Sequence, residues 1–255
     1  MAEPCDTHGI DFESVDDPRV TATHARVVPG GDETGTLTLL GIVHDHPASI
    51  YRVQHVVRHL SPEVVALELA PLAVPLFEEY ATENEIPPRR GGEMSAAIQA
   101  VGPDARVVGI DAPTRSFLRT VVAELRDTDA AMLTVRRVLR DVTDLSRHAL
   151  QCRVAATAGP AGLVSMDETV PEIAHDCSHE DPPGVQAEDE RRLIARNRAL
   201  RSATKTPRPI SLLDTAREKT MARHLARLRQ EGDVVAVVGL EHLDEVTDRL
   251  VEPAH

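Results

Sequence analysis

The chain has the sequence EVVALE at residues 63–68, a run that is apolar at every position between two carboxylates. Strands with one face in water alternate apolar and polar residues, whereas a continuous apolar run is typical of a strand buried on both faces in a parallel sheet. A second run of this kind, VVAVV at residues 234–238, lies near the end of the chain. The two runs predict a sheet covered by helices on both faces.

The segment between residues 23 and 110 alternates short apolar runs with helical patterns. Two short strands flank the turn-rich GGDETG at residues 30–35, which predicts a hairpin. A helix is predicted over residues 47–60, because its apolar residues recur on one face and Pro47 suits a first helical turn. Alternating strands and helices imply crossover connections, so we expect an α/β fold with a mainly parallel central sheet. The other predicted elements are helices over 71–83 and 92–101 and a strand over 105–110.

A long helical region, residues 114–230, separates the last strand from the earlier ones. Its patterns predict helices over 114–156, 188–202 and 211–230, and an irregular part over 158–186. We expect this region to be a helical insertion within a single domain over residues 23–252. Residues 1–22 are acidic and polar, which predicts a flexible leader.

The amino-acid composition excludes some classes of function and partner. The 255 residues include 41 Asp plus Glu against 28 Lys plus Arg, a net charge of −13 that repels phosphate backbones, so no nucleic-acid partner is expected. Lys205 and Lys219 are the only lysines, and such an acidic, lysine-poor chain resembles proteins of salt-accumulating haloarchaea. Codon bias of a high-GC genome is the alternative.

Neither a run of 18 apolar residues nor a secretory signal is present, so we expect a cytoplasmic protein without a membrane span.

Ionisable residues follow the predicted strands. Ligands of open parallel sheets bind beyond the carboxyl ends of the strands, where this chain places His44, Glu68, Asp111 and His242. Both histidines stand three residues after a glycine. Two imidazoles and a carboxylate at one edge suit a divalent transition metal. The alternative is that the histidines only form hydrogen bonds with turns.

Other common signatures are absent from the sequence. It contains no HExxH, no GxSxG, no Walker A loop and no GxGxxG after a strand. Cys5, Cys152 and Cys177 are odd in number and widely spaced, which argues against a disulfide framework. The HDCSHE segment at residues 175–180 superficially resembles a metal-binding tract. A polar loop is the favoured interpretation, and a second metal site is the alternative.

Taken as a set, six segments resemble the TraB/PrgY (pheromone shutdown) family, over about residues 36–250. The closing VAVVGLEH is similar to the family's last Gly-x-x-His. One departure is that the first motif continues as GIVHDH, which adds Asp45 and His46 to the family pattern. The segments are GIVH at 41–44 with Ser49, EVVALEL at 63–69, GEMSAAI at 92–98, VGID at 108–111 with Arg119, LDTAREKTMA at 213–222 and VAVVGLEH at 235–242.

The resemblance implies an α/β fold and an active crevice, because the family belongs with Tiki proteases, GumN-like proteins, ChaN-like haem-binding lipoproteins and erythromycin esterases. Tiki proteins are metal-dependent proteases supported by manganese or cobalt. Carried onto this chain, the resemblance implies metal ligands, catalytic groups and substrate contacts. The implied metal ligands are His44, Glu68, Glu93 and His242, the catalytic groups Glu68, Glu93, Arg119 and Arg217, and the substrate contacts Asp111 and Ser49.

The sequence thus predicts a metal-dependent hydrolase, peptidase-like, that acts on a peptide or a small molecule. The cofactor would be a divalent transition metal, namely manganese, cobalt, zinc or iron, and the glutamate that does not bind it would be the general base. Two alternatives remain: a noncatalytic protein that sequesters a peptide or small ligand, and a metal-free, esterase-like hydrolase. A homo-oligomer is compatible with the sequence.

Overall fold

The computed structural model describes residues 10–102, 104–128, 130–158, 175–203 and 208–251. Within these residues, five strands form one sheet in the order β1-β2-β5-β3-β4. Only β1 is antiparallel to its neighbour, so the predicted α/β class with a mainly parallel sheet is confirmed. The strands are β1 (Ala25–Val28), β2 (Leu37–Ile42), β3 (Val64–Leu67), β4 (Arg106–Gly109) and β5 (Val234–Gly239).

The helices follow the predicted order, but α6 begins at Pro183, inside the part predicted to be irregular over 158–186, of which residues 159–174 lie outside the described residues. The helix predicted over residues 47–60 has those bounds, and left-handed Ser61 ends it. The helical insertion before the last strand is present in the described residues. The helices are α1 (Pro47–Leu60), α2 (Val74–Ala81), α3 (Gly92–Ala100), α4 (Arg115–Asp127), α5 (Met132–Ala158), α6 (Pro183–Ala203), α7 (Arg208–Leu228) and α8 (Leu240–Val251).

Strand β5 is the last strand in sequence and lies between β2 and β3. Its register pairs Gly239 with Ile42 on one side and Val237 with Leu67 on the other. The four parallel strands therefore end at one edge of the sheet. Residues that follow β2, β3, β4 and β5 meet at this edge although they are far apart in the sequence.

The three central strands, β2, β5 and β3, are buried on both faces, which explains their continuous apolar runs. On one face, residues such as Leu39 and Ala236 pack with Met221 of α7 and Leu243 of α8. On the other face, residues of β2, β3 and β5 pack with α1 and α3. The insertion has an apolar cluster of its own, formed by α4, α5 and α7.

Part of the predicted leader packs on the domain. Residues 1–9 lie outside the described residues. Phe12 and Val20 are instead buried in the cluster that includes α1, and the guanidinium of Arg19 lies over the ring of Tyr51, with 3.3 Å from Cζ to the ring centroid. The apolar residues within an acidic segment account for this packing. In the described part of the chain, no helix is both long enough and apolar enough to cross a bilayer.

A buried ion pair joins the insertion to the sheet domain. Arg52 of α1 and Glu190 of α6 are both almost completely buried, and the guanidinium donates two hydrogen bonds to the carboxylate. Ser49 Oγ donates to Glu190 Oε1 at 2.6 Å and accepts from the amide of Val43 at 2.9 Å. Arg52 Nε also donates to the carbonyl of Arg19 at 2.7 Å. The network fixes α6, α1 and the residues after β2 relative to one another.

Arg52→Ala is expected to lower the free energy of unfolding by about 3–5 kcal/mol, because it leaves the Glu190 carboxylate buried without a compensating charge. Urea unfolding followed by circular dichroism measures this loss. The matched control is Arg192→Ala, which removes an exposed pair with Glu188 on the same helix and should cost only about 0–1 kcal/mol. Equal losses in the two variants would contradict the assignment.

Candidate active site at the carboxyl edge of the sheet

Arg217 of α7 lies between the carboxylates that end two strands. Its Nη2 donates to Glu68 Oε1 at 2.5 Å and to Asp111 Oδ2 at 2.6 Å, and its Nε donates to Asp111 Oδ1 at 3.0 Å. Nη1 lies 3.3 Å from His242 Nε2. Burial disfavours the charge of Arg217, but Asp111 and Glu68 outweigh burial and raise the pKa of its guanidinium. One fixed cation therefore links residues that follow β3, β4 and β5.

Gly41 of β2 and Gly239 of β5 both lie near this edge of the sheet. The amide of Gly239 donates to Glu68 Oε2 at 2.5 Å, and a Cβ at Gly239 would lie 3.4 Å from that oxygen and 3.3 Å from the Glu241 carboxylate, both of them side-chain ends. A Cβ at Gly41 would lie 2.7 Å from Leu240 Cδ1, so this glycine lets α8 pack on β2. The glycine of the first Gly-x-x-His thus has a packing reason, whereas at Gly239 the neighbouring side chains leave almost ordinary contact distances.

His242 is buried in the first turn of α8. Its Nδ1 lies 3.1 Å from Glu218 Oε1, and its Nε2 lies 3.7 Å from Glu68 Oε1. Burial lowers the pKa of His242, but the hydrogen bond to Glu218 and the charge of Glu68 outweigh burial and raise it. In the neutral form, Nδ1–H donates to Glu218 and Nε2 accepts from Arg217. Both ring nitrogens of this histidine are therefore engaged.

His44 and Glu93 form a separate pair. The two atoms His44 Nδ1 and Glu93 Oε1 are 2.8 Å apart, and Glu93 Oε2 accepts from the amide of Asp45 at 2.9 Å. Glu93 is buried near the start of α3, whereas 46% of the His44 side chain is exposed. Glu93 occupies Nδ1, which leaves Nε2 as the ring nitrogen available to a substrate.

The His44 imidazole is positively charged at neutral pH. Its hydrogen bond to Glu93 raises its pKa to about 9 against the effect of burial, and the charges of Glu68 and Glu241 act in the same direction. Glu68 thus influences His44 through space, so the pair and the Arg217 cluster share one electrostatic environment. An accessible imidazole held by a buried carboxylate is a common arrangement for proton transfer.

The four predicted metal ligands lie in two groups, His44 with Glu93 and Glu68 with His242. In the described part of the chain, neither group is among the sets of three or more His, Cys, Asp or Glu donors that lie close enough for one ion. The guanidinium of Arg217 already compensates the Glu68 carboxylate. As the side chains lie, this donor set does not fit a single metal ion.

Two other predicted residues lie apart from the edge cluster. Ser49 is fully buried and belongs to the Arg52–Glu190 network, where it holds the segment before His44 rather than a substrate. Arg119 is exposed on α4, and within the described residues no hydrogen bond or ion pair joins it to the cluster. Of the predicted arginines, only Arg217 lies at the edge.

The structure adds acidic residues of α7 to the edge. Glu218 contacts His242, and burial raises the pKa of Asp214, whose carboxyl also senses the charges of His242 and Arg217. Asp214, Arg217 and Glu218 are spaced i, i+3 and i+4, which places them on one helix face. The spacing of these residues within LDTAREKTMA is the sequence feature from which Asp214 and Glu218 could have been predicted as site residues.

His46, Cys177 and Asp189 form a second cluster. His46 Nε2 is 3.4 Å from Asp189 Oδ2 and 3.7 Å from Cys177 Sγ, and one donor atom from each residue lies within 4.8 Å of the others, so the three could hold a metal ion. His46 Nδ1 caps α1 by accepting from the amide of Ala48 at 3.1 Å. Burial and Asp189 raise the pKa of Cys177 to about 12. The sequence favoured a polar loop over residues 175–180, and these residues do form a loop. The loop brings Cys177 close to the possible metal donors His46 and Asp189.

Comparisons of the chain with protein-family models, with curated proteins and with solved structures found no match. The resemblance to the TraB/PrgY family therefore stays a prediction from the motifs.

Glu93→Gln is expected to lower the pKa of His44 from about 9 toward its ordinary value of 6.5, because the amide removes the charge that stabilises the imidazolium. Titration of the imidazole by NMR measures this shift. Glu241→Gln is the control and should shift the pKa far less, since Glu241 acts on His44 only through space. An unchanged His44 pKa in Glu93→Gln would contradict the pair.

The same pair predicts a pH dependence of stability. Because folding raises the pKa of His44, its contribution is complete below pH 6.5 and is lost as the pH rises through about 9. The free energy of unfolding, measured in urea between pH 6.5 and 9, should fall more steeply in the wild type than in Glu93→Gln. Parallel curves would show that the pair does not stabilise the fold.

Proposed function

We propose that the chain is a hydrolase that acts on a carbonyl substrate, a peptide or a small ester, at the carboxyl edge of its sheet. The observation that carries the proposal is the half-exposed imidazole of His44, held through Nδ1 by the buried Glu93 carboxylate. The resemblance to the TraB/PrgY family supports the same assignment, because its relatives include peptidases and esterases.

His44 would transfer protons through Nε2. In the unprotonated form it accepts a proton from the attacking water, the resulting hydroxide adds to the carbonyl carbon, and the imidazolium then returns the proton to the leaving group. Glu93 accepts a hydrogen bond from Nδ1–H throughout and stabilises the charged ring. The proton taken from water thus ends on the leaving alcohol or amine, and the imidazole is restored.

Arg217 would bind the negative charge of the reaction. Its guanidinium is held by Glu68 and Asp111, and 22% of its side chain remains exposed. A fixed cation with N–H donors can stabilise an oxyanion or hold a substrate carboxylate. His242, Glu68 and Glu218 would position Arg217 rather than contact the substrate, because their polar atoms are already paired.

The metal-free form of the hydrolase is the form that the side chains support best. The predicted donors are split between two groups, and Arg217 stands among the carboxylates. The metal-dependent form, with manganese, cobalt, zinc or iron bound by His44, Glu68, Glu93 and His242, would require Arg217 to leave Glu68. No step of the mechanism is therefore assigned to a metal at this edge.

His44→Gln is expected to reduce turnover of p-nitrophenyl esters or fluorogenic peptides by roughly 10²–10⁴-fold, because it removes the proton-transfer group. The assay belongs in molar salt, since a net charge of −13 repels itself at low ionic strength. The control is His59→Gln, which changes an exposed histidine of α1. Retained turnover in His44→Gln would overturn the proposal. Saturable binding of these peptides without turnover would favour the sequestering protein.

The rate should also report the ionisation of His44. As a general base, His44 gives a rate that rises with pH up to about 9, and Glu93→Gln should move this rise to lower pH together with the lowered pKa. The pH dependence of kcat/KM in both proteins is the measurement. A rise at the same pH in the two would show that another group accepts the proton.

A further inference from the structure

We propose that His46, Cys177, Asp189 and His175 form a zinc site that ties the segment before α6 to the start of α1. His46 precedes α1, His175 and Cys177 belong to the segment before α6, and Asp189 lies in α6. The four residues thus come from three parts of the chain. The site is separate from the His44–Glu93 pair and does not depend on the proposed hydrolase.

The distances fit tetrahedral zinc. Bonds of about 2.0–2.1 Å to nitrogen, 2.0–2.2 Å to oxygen and 2.3 Å to sulfur place the donors of a tetrahedral ion about 3.4 Å (N to O) and about 3.6 Å (N to S) apart. The separations from His46 Nε2 are 3.4 Å to Asp189 Oδ2 and 3.7 Å to Cys177 Sγ. The three donors therefore stand where an ion would need them.

His175 provides an independent observation. Both of its ring nitrogens are buried and have no hydrogen-bond partner. Its ring lies against that of His46, with 4.7 Å between the centroids. Buried polar atoms in native proteins nearly always have partners, so two orphaned nitrogens beside three donor groups need an explanation. His175 lies outside the three donors that are within 4.8 Å of one another, so its ring would turn for one nitrogen to bind the ion and complete a set of four.

The donor set selects the metal. A thiolate with imidazoles and one carboxylate suits zinc, whereas magnesium and calcium prefer oxygen ligands. Four protein donors leave no position for water, and His46 is fully buried. Such a closed site is typical of structural zinc. Its role would be to hold residues 175–182 against α1.

Zinc binding changes the protonation of two donors. The Cys177 thiol loses its proton to solvent and binds as a thiolate. His46 now accepts the Ala48 amide at Nδ1, so its neutral ring carries the proton on Nε2. Coordination through Nε2 moves that proton to Nδ1, so the Ala48 amide loses its hydrogen bond to Nδ1. Uptake thus releases one proton in total, and affinity should fall as the pH is lowered.

Cobalt is the spectroscopic probe, because Co²⁺ replaces Zn²⁺ in tetrahedral sites and its thiolate charge-transfer band reports a Co–S bond. The full chain, stripped with chelator and titrated with Co²⁺ in molar salt, should bind one ion per chain and show this band. Zn²⁺ should displace it. Elemental analysis of protein purified from zinc-containing medium should give about one zinc per chain.

Matched variants locate the site. Cys177→Ser should abolish the charge-transfer band, and His175→Ala should weaken zinc binding at least tenfold. Cys152→Ser and His179→Ala are the controls, since Cys152 lies in another cluster and His179 is exposed in the same segment. His44→Gln should keep the ion, which separates this site from the proposed active site.

Absence of Co²⁺ or Zn²⁺ uptake by the wild-type chain would overturn the proposal, whatever the variants do. Uptake that survives both Cys177→Ser and His175→Ala would overturn it as well, and uptake lost only in His44→Gln would place the ion at the edge cluster instead. Circular dichroism of each variant checks that loss of metal is not loss of fold.

Discussion

The ion pairs of Arg217 with Glu68 and Asp111 are the interactions on which the carboxyl edge of the sheet depends. Parallel strands end on one side, so the acidic residues that follow them are brought together by the topology alone. In a chain of net charge −13, that convergence would be repulsive without a cation in its midst. The guanidinium converts the repulsion into a rigid network, against which His242 packs.

Much of the fold could be predicted from local patterns. The apolar runs of β3 and β5 mark strands buried on both faces, and Pro47 and Ser61 mark both ends of α1. The place of β5 between β2 and β3 could not be read from them, because strand order depends on contacts between residues about 170–200 positions apart. The packing of Phe12 and Val20 could not be predicted for another reason, since two apolar residues within an acidic segment give no periodicity.

Some residues of the candidate site could likewise be predicted from local patterns, and others could not. His44, Glu68, Asp111 and His242 could be predicted because strand ends converge, and the structure brings the last three to Arg217. The pairing of Glu93 with His44 was available only through the resemblance, which named both residues but as metal ligands. The partner of Ser49 lies in α6 and that of Asp189 is His46, just before α1, each some 140 residues away, and no local pattern encodes such contacts.

The junction between β5 and α8 contains no loop: the strand ends at Gly239 and the helix begins at Leu240. An α-helix advances about 100° per residue, so one inserted residue here would rotate all of α8 by that angle about its axis. His242 would leave Glu218, and Leu243 would leave the core, in a single event. The chain length at this junction is therefore fixed by the packing of α8, because no loop is present to absorb an inserted residue.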